Sequence, residues 1–174
     1  MRMTDAIYIS AALVVGVGSA VQVGMIGSLG RQRGAFEATL ISMLASIVGL
    51  AVFLVLRSLR DNPPELPSPL DEPLVYVALG AVASAGLVVS MRDLQPYLAT
   101  AGVFGFLYVV SAAFLAPRIG IALYVGAVTA GTLIGSVGLD HVGAFGADIQ
   151  RVNLLRAIGV VALILGVILV RSGR

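Results

Sequence analysis

The stretch AIYISAALVVGVGSAVQVGMIGSL, Ala6–Leu29, decides the fold. It runs for 24 residues without a charged side chain, and a hydrocarbon core of about 30 Å takes about 20 helical residues. The apolar part of a secretory leader is only about 7–15 residues long, so the stretch reads as a retained first membrane helix. Five more apolar stretches follow at Phe36–Leu56, Leu74–Met91, Pro96–Leu115, Ile119–Leu139 and Leu154–Val170. Strands of a membrane barrel would alternate apolar and polar residues over about ten positions, and none of these does. The fold expected is all-α, a polytopic transmembrane bundle of five to six helices, with residues 1–174 as a single transmembrane domain. The count stays open because Leu74–Met91, short and rich in Ala, Gly and Val, either spans or lies re-entrant against the bundle.

Composition supports the same solvent. Hydrophobic residues make up 59% of the chain and charged residues 11%, against about 45–50% and about 25% in soluble domains. The eleven basic residues are all arginines and are scattered through short connections. No basic cluster exists to grip nucleic acid, which requires Lys and Arg gathered on one face. With no cysteine and a single histidine, His141, thiolate and most imidazole metal sites lose their ligands. Neither a cofactor nor a metal is expected.

The breaks between the apolar stretches are legible. Gly30–Gly34 reads as a charged turn, and residues 57–73 as a loop whose acidic, proline-rich part, Asp61–Pro69, cannot continue a helix. Arg92–Pro96 forms a third break, with Pro96 placed to open the next helix. Pro117-Arg118 reads as a tight fourth, and Asp140–Asn153 as the fifth. If all six stretches span, Arg2, Arg57, Arg60, Arg118, Arg171 and Arg174 face Arg31, Arg33, Arg92, Arg151 and Arg156 across the bilayer. That near-equality lacks the cytoplasmic excess that normally sets orientation. Two readings remain: insertion in both directions as an antiparallel homodimer, or an orientation set by the first helix or a partner.

Small residues recur at helical spacing. Gly16, Ala20 and Gly24 share one face of the first stretch; Gly131 and Gly135 share one of the fifth, with Tyr124, Ala127 and Gly138; Gly159 and Gly166 lie seven apart in the sixth. Lipid gives helices no hydrophobic reason to associate, so small residues that let backbones approach take over. Second, mildly polar faces stand beside these. The first stretch has Tyr8, Ser19 and Gln22; the second Thr39, Ser42 and Ser46; the fifth Thr129, Thr132, Ser136 and Asp140. Polar groups at membrane depth usually face a bundle interior or water. Tyr8, Ser19, Gln22, Ser42, Ser46, Thr129, Thr132 and Ser136 are therefore candidate substrate contacts. The competing reading is that each hydroxyl only satisfies a backbone carbonyl. Gln22 is the sharpest candidate, since a buried amide is costly without partners. Glu37, Asp140 and His141 are weaker candidates for ion coupling. Glu37 suits the first turn of its helix, and capping explains Asp140 and His141 as well as coupling does. No catalytic constellation can be assembled, so an enzyme is not expected.

Several of these residues carry a resemblance. Ala116–Gly120, Thr129–Ser136 and Asp140–Gly143, with Gly18–Gln22, Gly30-Arg31, Phe36–Ser42, Pro96-Tyr97 and Ala157–Leu169, resemble the YdcZ-like family of the drug/metabolite transporter superfamily, which is related to the small multidrug resistance exporters. The resemblance implies a dimeric transporter in a prokaryotic plasma membrane, moving a small metabolite or drug-like compound by alternating access. Family members usually have five helices, so the extra length at Pro63–Leu94 departs from the pattern. Gly131-Thr132 stands where the family typically has Gly-Gln. The small multidrug exporters keep a glutamate in their first helix; here that helix has only Gln22, which cannot exchange a proton near neutral pH. The alternative function is a non-transporting membrane scaffold or accessory subunit.

Overall fold

The computed structural model describes residues 3–60 and 64–172. The expectations placed on Arg2, Asp61, Asn62, Pro63 and Arg174 lie outside the described residues. Of the described residues 84% are helical, and none lies in a strand. Six α-helices follow one another: α1 Met3–Arg33, α2 Ala35–Ser58, α3 Pro73–Ser90, α4 Ala101–Ile119, α5 Ile121–Val142 and α6 Leu154–Ser172. Two short 3-10 turns, Pro96–Thr100 and Ala144–Gly146, lead into α4 and out of α5. Each helix, with the Pro96–Thr100 turn counted into the fourth, is long and apolar enough to cross a membrane.

Two expected breaks move. The Gly30–Gly34 turn shrinks to Gly34: Gly30 stays helical, its carbonyl bonded by the Gly34 N–H at 3.0 Å, and only Gly34 turns, at φ 103°. The Pro117-Arg118 break falls instead at Gly120, where φ is 84°. Proline removes one hydrogen bond but keeps a helical φ, so α4 carries Pro117 within it. Leaving the helix requires a positive φ, which glycine adopts without strain. Arg118 donates to the Phe114 carbonyl and stacks 3.5 Å from its ring centre. Such a cation at a helix C-terminus is favourable, and its position suits an interfacial anchor.

The chain divides into two compact units, one of residues up to Ser28 with Leu107 onward, the other of Leu29–Phe106. In the first, Ala12, Leu115, Ile119, Leu123, Tyr124, Ala127 and Val128 form a buried cluster, with Tyr8, Ala112 and Val167 packed against it. In the second, α2 packs on α3 and on the Pro96–Thr100 turn. Ala38, Ile41, Ala45 and Ala51 of α2 are buried there, as are Tyr76, Ala83 and Leu98. Large apolar side chains otherwise point outward, among them Val14, Phe36, Leu74, Val82, Ile121 and Leu155. Even in α5, the most enclosed helix, only 33% of the most apolar window is buried, and in α6 none is. In water such a surface would aggregate; in lipid it is the surface the solvent requires.

Candidate functional site

The first unit is organised by the crossing of α1 and α5. A Cβ added to Gly16 would collide with the Val128 carbonyl and lie 2.8 Å from the Thr132 amide nitrogen. One added to Gly131 would collide with the Leu13 carbonyl and lie 3.1 Å from the Gly16 Cα. Each glycine is thus the space the other helix occupies. Thr132 binds the contact: its hydroxyl reaches the Val128 carbonyl of its own helix (2.9 Å) and the Gly16 carbonyl across (3.1 Å). Gly135 continues the same contact against Ala20 and Val17. Both expected close-packing faces, on α1 and α5, therefore meet each other.

Beside that crossing, α4 and α5 leave an open cleft of about 340 Å³ lined by Tyr108, Val128, Thr129, Thr132, Leu133 and Ser136. The hydroxyls in it differ in what they have left to offer. Thr132 is bonded as above, and Ser136 lies 3.1 Å from the Leu133 carbonyl of its own helix. The Thr129 hydroxyl and the Tyr108 phenol make no hydrogen bond among the described residues. Outside the lining, Tyr124, 3% exposed, ties α5 to α4: its phenol meets the Ser111 hydroxyl at 2.8 Å and the Tyr108 carbonyl at 3.3 Å. Two free hydroxyls stand in an apolar trough whose backbone is held by its own polar bonds. Such a surface can orient a small compound with one or two polar groups.

The structure brings Thr129, Thr132 and Ser136 of the expected residues together. Ser19 bonds the Val15 carbonyl at 3.1 Å, within its own helix. Tyr8 packs against the buried cluster. Gln22 is half-buried, and its amide makes no hydrogen bond among the described residues; it does not line the cleft. In the second unit, Ser42 and Ser46 lie where α2 meets Gly102 of α4. Ser42 is 6% exposed, and Ser46 donates toward the Ser42 and Gly102 carbonyls at 2.9 and 2.8 Å. Thr39 bonds the Ala35 carbonyl at 2.8 Å.

Of the ion-coupling candidates, Glu37 is exposed in the first turn of α2 and folds back over Gly34. Asp140 and His141 tie down the connection from α5 to α6. The Asp140 carboxylate pairs with Arg156 at 3.3 Å, its carbonyl accepts the Gln150 N–H at 2.9 Å, and the His141 Nδ1 accepts the Val152 N–H at 3.3 Å. Asn153 completes the corner, its Oδ1 accepting the Arg156 N–H at 2.9 Å as an N-cap.

Tyr108 is the polar lining residue that reading the sequence missed, beside the apolar Val128 and Leu133. Its polarity sits on one atom at the tip of a ring within an apolar run, Phe104–Val110. The only signal available was its position about one turn before Ser111, the one serine or threonine in that helix.

The family model described as "Putative inner membrane exporter, YdcZ" matches residues 7–169. The chain belongs to the YdcZ family. Comparison with curated proteins and with solved structures returned no match. As a YdcZ-family member with six helices long and apolar enough to span, the protein is an integral, multi-pass protein of the inner membrane, in a family assigned to export.

Proposed function

We propose that this protein exports a small, largely apolar metabolite or drug-like compound, with the α4–α5 cleft as each chain's contribution to the substrate path. The observation that carries this is the pair of uncommitted hydroxyls, Tyr108 and Thr129, in a cleft otherwise walled by Val128 and Leu133. Polar groups left open at membrane depth are costly unless something uses them. The half-buried amide of Gln22, likewise unspent, is a second contact. The chain works as one transmembrane domain of a homodimer and exposes its site by alternating access, the arrangement in which paired repeats place a site near the bilayer midplane. We read the protein as a transporter rather than an enzyme because its family is assigned to export.

The test begins with thermal stabilisation of detergent-purified protein across a panel of small amphipathic compounds. Counterflow in liposomes then follows those that stabilise. Thr129→Val and Tyr108→Phe each remove one hydrogen bond and should weaken uptake about tenfold, the effect of about 1.4 kcal/mol. Gln22→Leu should weaken it with the fold intact. Wild-type transport in Thr129→Val with Tyr108→Phe would remove the cleft from the substrate path. No stabilisation by any compound would favour a scaffold.

A further inference from the structure

Every charged side chain on the six helices stands near a helix end. Asp5 lies in the first turn of α1 and Arg31 and Arg33 in its last; Glu37 opens α2 and Arg57 closes it. Arg118 lies in the last turn of α4, Asp140 in the last turn of α5, and Arg156 and Arg171 near the two ends of α6. α3 carries none. The α4–α5 cleft opens between these ends. Thr129 stands about 12 Å along α5 from Ile121, at 1.5 Å per residue, and Tyr108 stands midway along the span Pro96–Ile119. The next acid on the Thr129 face is Asp140, one turn beyond Ser136, and it is paired with Arg156 at 3.3 Å. Arg118, further along α4 than Tyr108, is engaged by the Phe114 carbonyl and ring.

We infer that the compound this cleft takes is uncharged, with an amide, carbonyl or hydroxyl group bonded between the Tyr108 phenol and the Thr129 hydroxyl. The inference rests on the export reading above and names its substrate class. Each of the two hydroxyls can donate and accept, so either end of such a group is met, while Val128 and Leu133 cover its apolar part. A cation has only the Tyr108 ring to meet it. Leaving water for bilayer depth without a counter-charge is disfavoured by about a hundredfold, and one aromatic face returns about two- to thirtyfold. The balance leaves a cation weaker than its neutral counterpart by about tenfold. An anion gains two hydroxyl donors but no guanidinium, the group that makes such bonds strong. A second copy in the proposed dimer brings the same six helices, so pairing adds no charge at that depth.

The experiment is thermal stabilisation of the detergent-purified full chain by matched benzamides carrying a para tert-butyl, trimethylammonium or sulfonate group. The three are alike in size but neutral, cationic and anionic. The tert-butyl compound should stabilise at concentrations about tenfold below either ion, and Thr129→Val should weaken it. Thr129→Asp, which sets a carboxylate in the cleft, should turn the order in favour of the trimethylammonium compound. Equal or stronger stabilisation of the unaltered protein by either ion would overturn the inference, whether or not that variant folds. If Thr129→Val weakened such binding, the cleft would still stand as the substrate path. Stabilisation by none of the three would count against export through the cleft and take the inference with it. A neutral preference indifferent to Thr129→Val, or an unchanged order in folded Thr129→Asp, would place the choice by charge elsewhere and overturn it too.

Discussion

Two helix crossings in this protein use one device under different constraints. In the first unit, α1 meets α5 through Gly16 and Gly131; in the second, α2 meets α4 at Gly102. Each crossing places a hydroxyl, Thr132 or Ser46, between a carbonyl four residues back in its own helix and the carbonyl of the glycine opposite. The difference lies in the number of glycines and where they stand. Gly16 and Gly131 are both mid-helix and each meets backbone of the other helix. Gly102 is alone in its crossing and sits at the second position of α4, just after a 3-10 turn. A helix end can yield where a helix middle cannot. Packing of similar tightness should therefore tolerate an added methyl differently.

The largest effect is expected at Gly131. Gly131→Ala drives a Cβ against the Leu13 carbonyl, and relief requires moving α1 and α5 apart over several turns. The expected loss is about 3 kcal/mol, the upper part of the usual range for overpacking, read by reversible unfolding in mixed micelles. Gly102→Ala likewise drives its Cβ against a backbone carbonyl, that of Ser42, and puts it 2.5 Å from the Ala45 Cβ and 2.6 Å from the Ser46 nitrogen. A small shift of the first turn of α4 relieves that, so about 1–2 kcal/mol is expected. Equal losses at the two positions would show that end and middle yield alike, and the comparison would fail.

The hydroxyls sharpen the comparison because their order should reverse. Ser46 reaches the opposite glycine carbonyl at 2.8 Å and Thr132 at 3.1 Å. Cross-helix hydrogen bonds in membranes average about 0.6 kcal/mol. Ser46→Ala should cost at least as much as Thr132→Val, each measured in the same unfolding assay. A larger loss in Thr132→Val would mean that the threonine contributes through packing rather than through its bond.

How much of this was legible depends on which physical demand a residue answers. The helices could be read because lipid requires about 20 apolar residues and internally bonded backbone. Their ends could not be read as closely. α1 continues from Leu29 to Arg33 because arginine ends the apolar run without ending the helix. The Gly16 and Gly131 faces were visible as spacing, but spacing names a face and not its partner more than 100 positions away. The candidate site was legible in part. Thr129, Thr132 and Ser136 share a helix, so one period groups them. Whether a hydroxyl is spent or open is decided by the nearest carbonyl of another helix, as with Ser46 at Gly102, and a single helical period carries no such distance.

The smallest effect is expected at Gly159, which together with Gly166 meets nothing within 4 Å among the described residues. Alanine is favoured over glycine inside a helix by about 1 kcal/mol, so Gly159→Ala should leave the single chain unchanged or slightly more stable. Any loss would have to arise on a surface that one chain does not contain. In the homodimer proposed above, that surface is α6 of one protomer against its partner, where an added methyl would separate two backbones as it does at Gly131. Unfolding measured at low and high protein-to-detergent ratio distinguishes the cases. A loss that appears only when chains are concentrated places α6 at the dimer contact. Indifference at both ratios leaves α6 facing lipid, and any pairing of protomers must then use another helix.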